Sequence, residues 1–247
     1  DEDLINSLDA DVFVNALPGR VGHRIRKILV ENGHKVADLA FTPEDPSEVN
    51  QLAIDNDSIL IYDVGVAPGL SNLLLKEANR RHGRLTLGRI RVGGNPTTKD
   101  NGWSYMAPFS PVDVIEEYTR PARYVENSHL VVREPLTDCE FVEFEGVGTL
   151  ESFNSDGLRS IIHTMPHIPN MKEKTLRYPG HVEYIRVLKE AGFFDQDTLE
   201  VNGVEVSKLD FTSKMLFKEW KLGAQEPELT VMRVSLKGEN KDGEVQE

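Results

Sequence analysis

Residues 59–72 read ILIYDVGVAPGLSN, and this run constrains the fold more than any other. An apolar strand pattern from Ile59 runs into the carboxylate of Asp63, turns through Gly65 and Gly69, and opens an apolar helix at Pro68. Such a turn gathers an acid group, close backbone approach at the glycines and the unpaired N–H groups of a helix start. In open α/β sheets ligands bind beyond the carboxyl ends of the strands, so the segment marks an active edge.

The segments around it repeat the same rhythm. A buried-strand pattern at Asp11–Leu17 precedes helical spacing of Val21, Ile25, Ile28 and Leu29, which Gly33 stops. A strand at Lys35–Ala40, a short helix at Pro46–Asp55, the Ile59–Asp63 strand and a Pro68–Arg81 helix follow. The order βαβαβα predicts parallel strands with right-handed crossovers.

Near Gly83 the texture changes to longer strand-like runs at Leu85–Val92, Ala122–Val132, Cys139–Thr149 and Glu228–Leu236, with helical stretches at Pro111–Glu117, Asp156–His163 and Val182–Ala191. A frayed polar tail is expected after Gly238. The expected organisation is α/β: a partial Rossmann-type parallel sheet over residues 1–83, then an α+β mixed-sheet domain for substrate binding and dimerisation over 84–247.

Charge and cysteine usage narrow the function. The 247 residues carry 28 Lys plus Arg against 41 Asp plus Glu, a net charge of -13 that repels nucleic acid. The basic clusters Arg24–Lys27 and Arg80–Arg84 read as solvated helix faces. The lone Cys139 permits no internal disulfide and suits a reducing, cytoplasmic setting. No apolar run reaches the roughly 18–20 residues of a membrane span.

A second motif, KEKTLRYPGH at Lys172–His181, gathers Arg177, Tyr178 and His181 ahead of an amphipathic helix. If residues 174–178 are extended, Lys174, Leu176 and Tyr178 share one face and Thr175 and Arg177 the other. The Arg177 guanidinium then suits a carboxylate in bidentate fashion, unless an acid of the protein itself claims it. Three other features are weaker. Gly19-x-x-Gly22 lacks the first glycine of a dinucleotide fingerprint. His163 and His167 have metal-like spacing, but Pro166 between them argues against a shared helical face, and no metal is expected. Trp103, Tyr105 and Phe109, beside Pro108 and Pro111, read as domain packing.

Taken in order, DVFVNALPG, KVADLAF, YDVGVAPGLSN, RVGGNP, SPVDVIEEYTRPA, GTLESFNSDGL and KTLRYPGH resemble the saccharopine dehydrogenase family, and within it the branch containing lysine 6-dehydrogenase. The match spans about residues 9–236. It implies an NAD- or NADP-dependent oxidoreductase acting on the carbon–nitrogen bond of an amino acid, lysine or a saccharopine-like compound, and a homodimer. By the same resemblance Asn15, Ala16, Leu17, Pro18, Val64 and Gly65 face the nicotinamide half of the cofactor. Asp63, with Asp38 as runner-up, handles the substrate amine, and Arg177 takes a substrate carboxylate with Tyr178 and His181 beside it. Residues matching the family's first strand, its G-x-G-x-x-G turn and its ribose-gripping acid are absent. Weak or no dinucleotide binding by this chain alone is therefore expected, and a non-catalytic amino-acid-binding or dimerisation module stands as the alternative.

Overall fold

The computed structural model describes residues 2–82, 84–99, 102–107, 110–239 and 245–246. The first part runs α1 (Glu2–Asn6), β1 (Phe13–Asn15), α2 (Gly19–Glu31), β2 (Lys35–Asp38), a 3-10 turn (Pro46–Val49) leading into α3 (Asn50–Asp55), β3 (Ile59–Tyr62) and α4 (Leu70–His82). Strands β1, β2 and β3 pair in parallel in that order, with Phe13 opposite Val36 and Lys35 opposite Ile59. Helix α2 buries Gly22, Arg26, Leu29 and Val30 at helical spacing. The two glycines at its start are contact points: a Cβ on Gly22 would lie 2.4 Å from Ala40 Cβ, and one on Gly19 would lie 2.2 Å from the Phe41 carbonyl oxygen.

The second part contributes β4 (Arg84–Pro96), α5 (Pro111–Thr119), β5 (Ala122–Glu126), β6 (His129–Arg133), β7 (Glu140–Phe144), β8 (Gly148–Asn154), α6 (Ile161–Thr164), β9 (Met171–Arg177) and α7 (His181–Glu190). It continues with β10 (Thr198–Val201), β11 (Val204–Ser207), α8 (Lys208–Trp220), β12 (Glu228–Glu239) and β13 (Val245–Gln246). The mixed sheet has the order β13-β12-β4-β9-β5-β6, and β8 joins it through β9 while pairing with β7. Strand β9 is therefore central, parallel to β4 and antiparallel to β5 and β8.

Two hydrophobic clusters hold this part together. Tyr118, Phe153, Val182, Ile185 and Trp220 join α5, α7 and α8 in one, and Leu75, Leu85, Ile90, Tyr124, Ile161 and Met171 pack α4 with the sheet in the other. Each such side chain, fully buried, contributes roughly 1.5–3 kcal/mol. Among the described residues no helix is long and apolar enough to cross a membrane.

Several expected elements differ, each for a local reason. The Ala122–Val132 run is a hairpin, because Asn127 and Ser128 both take positive φ (50° and 66°), as a tight primed turn requires. Cys139–Thr149 likewise folds back around Gly146, φ 76°. The Asp156–His163 helix shrinks to Ile161–Thr164, since Arg159 adopts φ 48° and the Asp156 carboxylate is drawn to Arg123. The β10–β11 hairpin, turned at Asn202-Gly203, and helix α8 were not anticipated. Strand β12 continues to Glu239 and pairs with Val245–Gln246, while residues 240–244 and 247 of the tail expected to fray lie outside the described residues. Gly83, Pro108 and Phe109 lie outside the described residues; Trp103 and Tyr105 stack edge-on against Trp220, at 6.0 and 5.5 Å between centroids.

Candidate functional site

The turn after β3 is built by glycine. Gly65 N–H donates to Pro68 O at 2.9 Å and Leu70 N–H to Gly65 O at 2.9 Å, so the backbone loops tightly and α4 opens at Leu70 rather than at Pro68. Gly69 has φ 142°, and a Cβ there would lie 2.0 Å from Gly65 O, so only glycine fits. Asp63, with φ 55°, starts the loop and accepts from Ser160 N–H at 2.9 Å. Asn72 Nδ2–H donates to Ser160 Oγ at 3.0 Å, which ties the turn to the second part of the chain a second time.

A cavity of about 450 Å³ lies between the two sheets. One wall is the carboxyl ends of the parallel strands, with Ala16, Leu17, Leu39, Asp63, Val64 and Gly65. The opposite wall is β9, which presents Glu173, Thr175 and Arg177; α5 adds Asp113 and Glu117, and the chain after β8 adds Ser155 and Asp156. The period of two along β9 explains the split. Leu176 and Tyr178 pack with Leu150 away from the cavity, and Lys174 Nζ reaches Asp138 Oδ2 at 3.0 Å.

Arg177, 1 % exposed, is clamped by its neighbours. Its Nη2–H donates to Glu117, its Nε–H to Tyr118 Oη at 3.2 Å and its Nη1–H to Leu176 O at 2.9 Å. Three N–H donors of the guanidinium are used in this way, and the Tyr105 ring lies 4.5 Å from its central carbon. Behind it, His181 Nδ1–H donates to Trp103 O at 3.0 Å, because a carbonyl can only accept. His181 Nε2 must then accept, and Tyr118 Oη–H donates to it at 2.8 Å. Burial, and then the Arg177 charge, push the His181 pKa down to about 3, so the ring is neutral and the direction of the chain is fixed.

Glu173 sits two steps along β9 and is 2 % exposed. Ser155 Oγ–H donates to Glu173 Oε2 at 2.8 Å, and Ser155 and Thr175 hydroxyls lie 2.7 Å apart. A Cβ on Gly157 would come within 2.4 Å of the Glu173 carboxyl carbon, so glycine makes room for this acid. Burial pushes the Glu173 pKa up to about 8, opposed by Ser155 and reinforced by Glu117 and Asp156. Burial also raises Asp113, against the hydrogen bond from Gly19 N–H at 2.9 Å, and raises Glu117 against its pairing with Arg177.

The expected site residues divide. Asp63, Ala16, Leu17, Val64, Gly65 and Arg177 line the cavity. Asp38 does not: it is buried at the end of β2, ion-paired with Arg26 and accepting from Asn15 Nδ2–H at 3.2 Å and Ala40 N–H at 2.9 Å. The Asn15 amide nitrogen donates to Asp38 and to Gly22 O, and Pro18 precedes the first turn of α2. Tyr178 Oη–H donates to Pro96 O at 2.8 Å on the far side of β9, and His181 stands behind Tyr118. Gly19 offers no phosphate cradle, since its N–H is taken by Asp113. His163 lies 3.2 Å from Asp45 and His167 3.0 Å from Asn79, so the two imidazoles serve separate partners. Glu173, Glu117 and Asp113 were not anticipated. Glu173 hides inside KEK as an apparent surface charge, and only stepping back by twos from Arg177 would have found it.

Comparison with known proteins agrees with this architecture. Residues 65–247 match the model of the saccharopine dehydrogenase C-terminal domain. The chain is 23 % identical over 210 residues to saccharopine dehydrogenase [NADP(+), L-glutamate-forming] of Schizosaccharomyces pombe, a match covering 81 % of the chain and 47 % of that protein. It is 22 % identical over 213 residues to mitochondrial alpha-aminoadipic semialdehyde synthase of Bos taurus, covering 79 % of the chain and 23 % of that protein. The chain thus spans about half of the first relative and about a quarter of the second. Apo saccharopine dehydrogenase (L-Glu forming) from Saccharomyces cerevisiae has the same fold, with a TM-score of 0.70 at 15 % identity, covering 99 % of this chain and 70 % of that one.

Proposed function

Because the chain belongs to the saccharopine dehydrogenase family, we propose that its cavity holds an amino acid against a nicotinamide ring and serves an NAD- or NADP-dependent oxidoreduction at a carbon bearing nitrogen. Lysine or a saccharopine-like compound is the substrate in this reading. The observation that carries it is the meeting, in one cavity, of the strand-end loops of the parallel sheet with Arg177 of the mixed sheet.

The residues present fit the ring half of a dinucleotide. Ala16, Leu17, Val64 and Gly65 offer a small, apolar shelf against which a flat ring can lie. The nicotinamide would supply the hydride acceptor; the chain supplies orientation and charge. Arg177, held from behind by Tyr118 and Glu117, directs its remaining N–H groups at the substrate carboxylate. Asp63, held in place by Ser160 N–H, takes the substrate amine and accepts its proton.

The test is a screen on the native polypeptide that carries this chain. NAD and NADP are titrated first, and amino-acid oxidation is then followed by the absorbance of the reduced nicotinamide. One dinucleotide should bind and be reduced only when an amino acid is present. Binding of neither dinucleotide would refute the reading. Arg177→Lys keeps the charge but loses the fork, and should raise KM for lysine about tenfold more than for cadaverine, which lacks the carboxylate.

A further inference from the structure

We infer that Glu173 receives an ammonium group of the substrate, making its end of the cavity selective for an amine over a second carboxylate. The inference rests on the amino-acid reading of the cavity and adds a specificity-determining residue to it.

Three observations lead here. The first is placement. Glu173, Thr175 and Arg177 form a row along one face of β9, open to the cavity, with the acid and the guanidinium at its ends. Four residues of strand set their Cα atoms roughly 13 Å apart.

The second is that, among the described residues, Asp156 and Glu117 have cationic partners and Glu173 does not. Asp156 is bridged by Arg123 at 2.7 Å and Arg159 at 3.4 Å, Glu117 is paired with Arg177, Asp113 accepts from Gly19 N–H and Asp63 from Ser160 N–H. Glu173 has the Ser155 hydroxyl and a Gly157 N–H, but no cationic partner among the described residues. An ionised carboxylate buried without a cation is costly, so Glu173 keeps its proton until a cationic group is present to pair with it.

The third is the surrounding field. The cavity is also lined by Glu117 and Asp113 of α5, Asp156 after β8, Asp63 of the β3 turn and Glu228 of β12, with Arg177 as the one cation among the lining residues, and Glu117 and Asp156 act on Glu173. Tyr124 of β5 donates its hydroxyl to the Glu173 carbonyl from behind. Once Glu173 is ionised, a second substrate carboxylate at this end would meet like charge; an ammonium would not.

With its pKa raised to about 8, Glu173 holds a proton in the empty site at neutral pH. Binding then balances as Glu173–COOH plus R–NH3+ giving the ion pair Glu173–COO−/R–NH3+ and one proton released to solvent. Affinity for the ammonium ligand therefore falls as pH drops below the Glu173 pKa, by up to about tenfold per unit.

The experiment is isothermal titration of the native polypeptide with L-lysine and L-norleucine, which share a backbone and differ in the terminal ammonium. It is run at about pH 8.5 and about pH 6.5, each in two buffers of different ionisation enthalpy. Lysine should be preferred by about tenfold or more at the higher pH, the preference should largely vanish at the lower, and lysine alone should release a proton. Glu173→Gln should remove both preference and proton release while leaving norleucine binding within about threefold, and Glu173→Asp should restore part of each. Equal binding of lysine and norleucine, or proton uptake in place of release, measured on the unmodified protein, would overturn the role of Glu173 alone. Failure of both ligands to bind would bring down the amino-acid reading and, with it, this inference.

Discussion

The guanidinium of Arg177 is the best example of how residue chemistry and residue setting combine. Its type and its place in a strand are legible in the sequence; its clamp is not. Glu117 and Tyr118 are about sixty positions away, and only the packing of α5 on the sheet brings them in. The fixed direction of the hydrogen bonds from Tyr118 to His181 and from His181 to Trp103 makes Tyr118→Phe informative: it strands Arg177 Nε–H and His181 Nε2 without a partner. A stability loss of about 1–3 kcal/mol is expected in denaturant titration, together with a raised KM for a carboxylate substrate. The two buried titratable groups act on stability in opposite senses. His181 is depressed, so the unfolded chain binds its proton more readily, and its contribution is present above about pH 6.5 and lost as pH falls toward 3. Glu173 is raised, so its contribution is present below the ordinary carboxylate range and lost as pH rises toward 8. Glu173→Gln should therefore stabilise the protein more at about pH 8 than at about pH 5, and the pH dependence of the melting temperature measures this.

At the level of elements, periodic segments were readable and turns were not. The parallel sheet followed from three apolar runs alternating with helical spacing, and β1, β2 and β3 with α2 and α4 occupy nearly those places. The β5–β6 hairpin reads as one long strand because Asn127-Ser128 carries no glycine, although both residues are left-handed; in β7–β8 it is Gly146 that makes the turn. Ser128→Gly should stabilise the β5–β6 hairpin by up to about 1 kcal/mol, seen as a higher melting temperature, because it removes the cost of a side chain at positive φ. Gly69→Ala should do the opposite and more strongly. Its Cβ would strike the Gly65 carbonyl, and the loss of about 2 kcal/mol or more should come with displacement of Asp63 and weakened ligand binding.

For the molecule as a whole, one of the junctions that join the two parts beside the cavity is built around an aromatic ring. Phe41, just beyond β2, lies under the guanidinium of Arg120 at 4.2 Å and near that of Arg159 at 5.4 Å. Arg159 also donates to Thr42 O at 2.6 Å and Glu44 O at 3.2 Å, and Arg120 to Phe41 O at 3.3 Å. None of this is visible in a linear reading, since phenylalanine after a strand and arginine in a helix have ordinary separate explanations. Phe41→Ala should loosen the junction by roughly 1–3 kcal/mol. Hydrogen exchange would then rise selectively in residues 39–46 and 155–160, while the core around Trp220 stays protected.

Strand β9 stands in the middle of the larger sheet, with Leu176 and Tyr178 anchored on one side and Glu173, Thr175 and Arg177 open on the other. What keeps the strand in place and what the strand displays are thus written in alternate letters of the same short word. Exchanging a displayed letter changes which ligand is welcome without disturbing the anchors, so descendants of this chain can acquire new substrates one rung at a time on an unaltered frame.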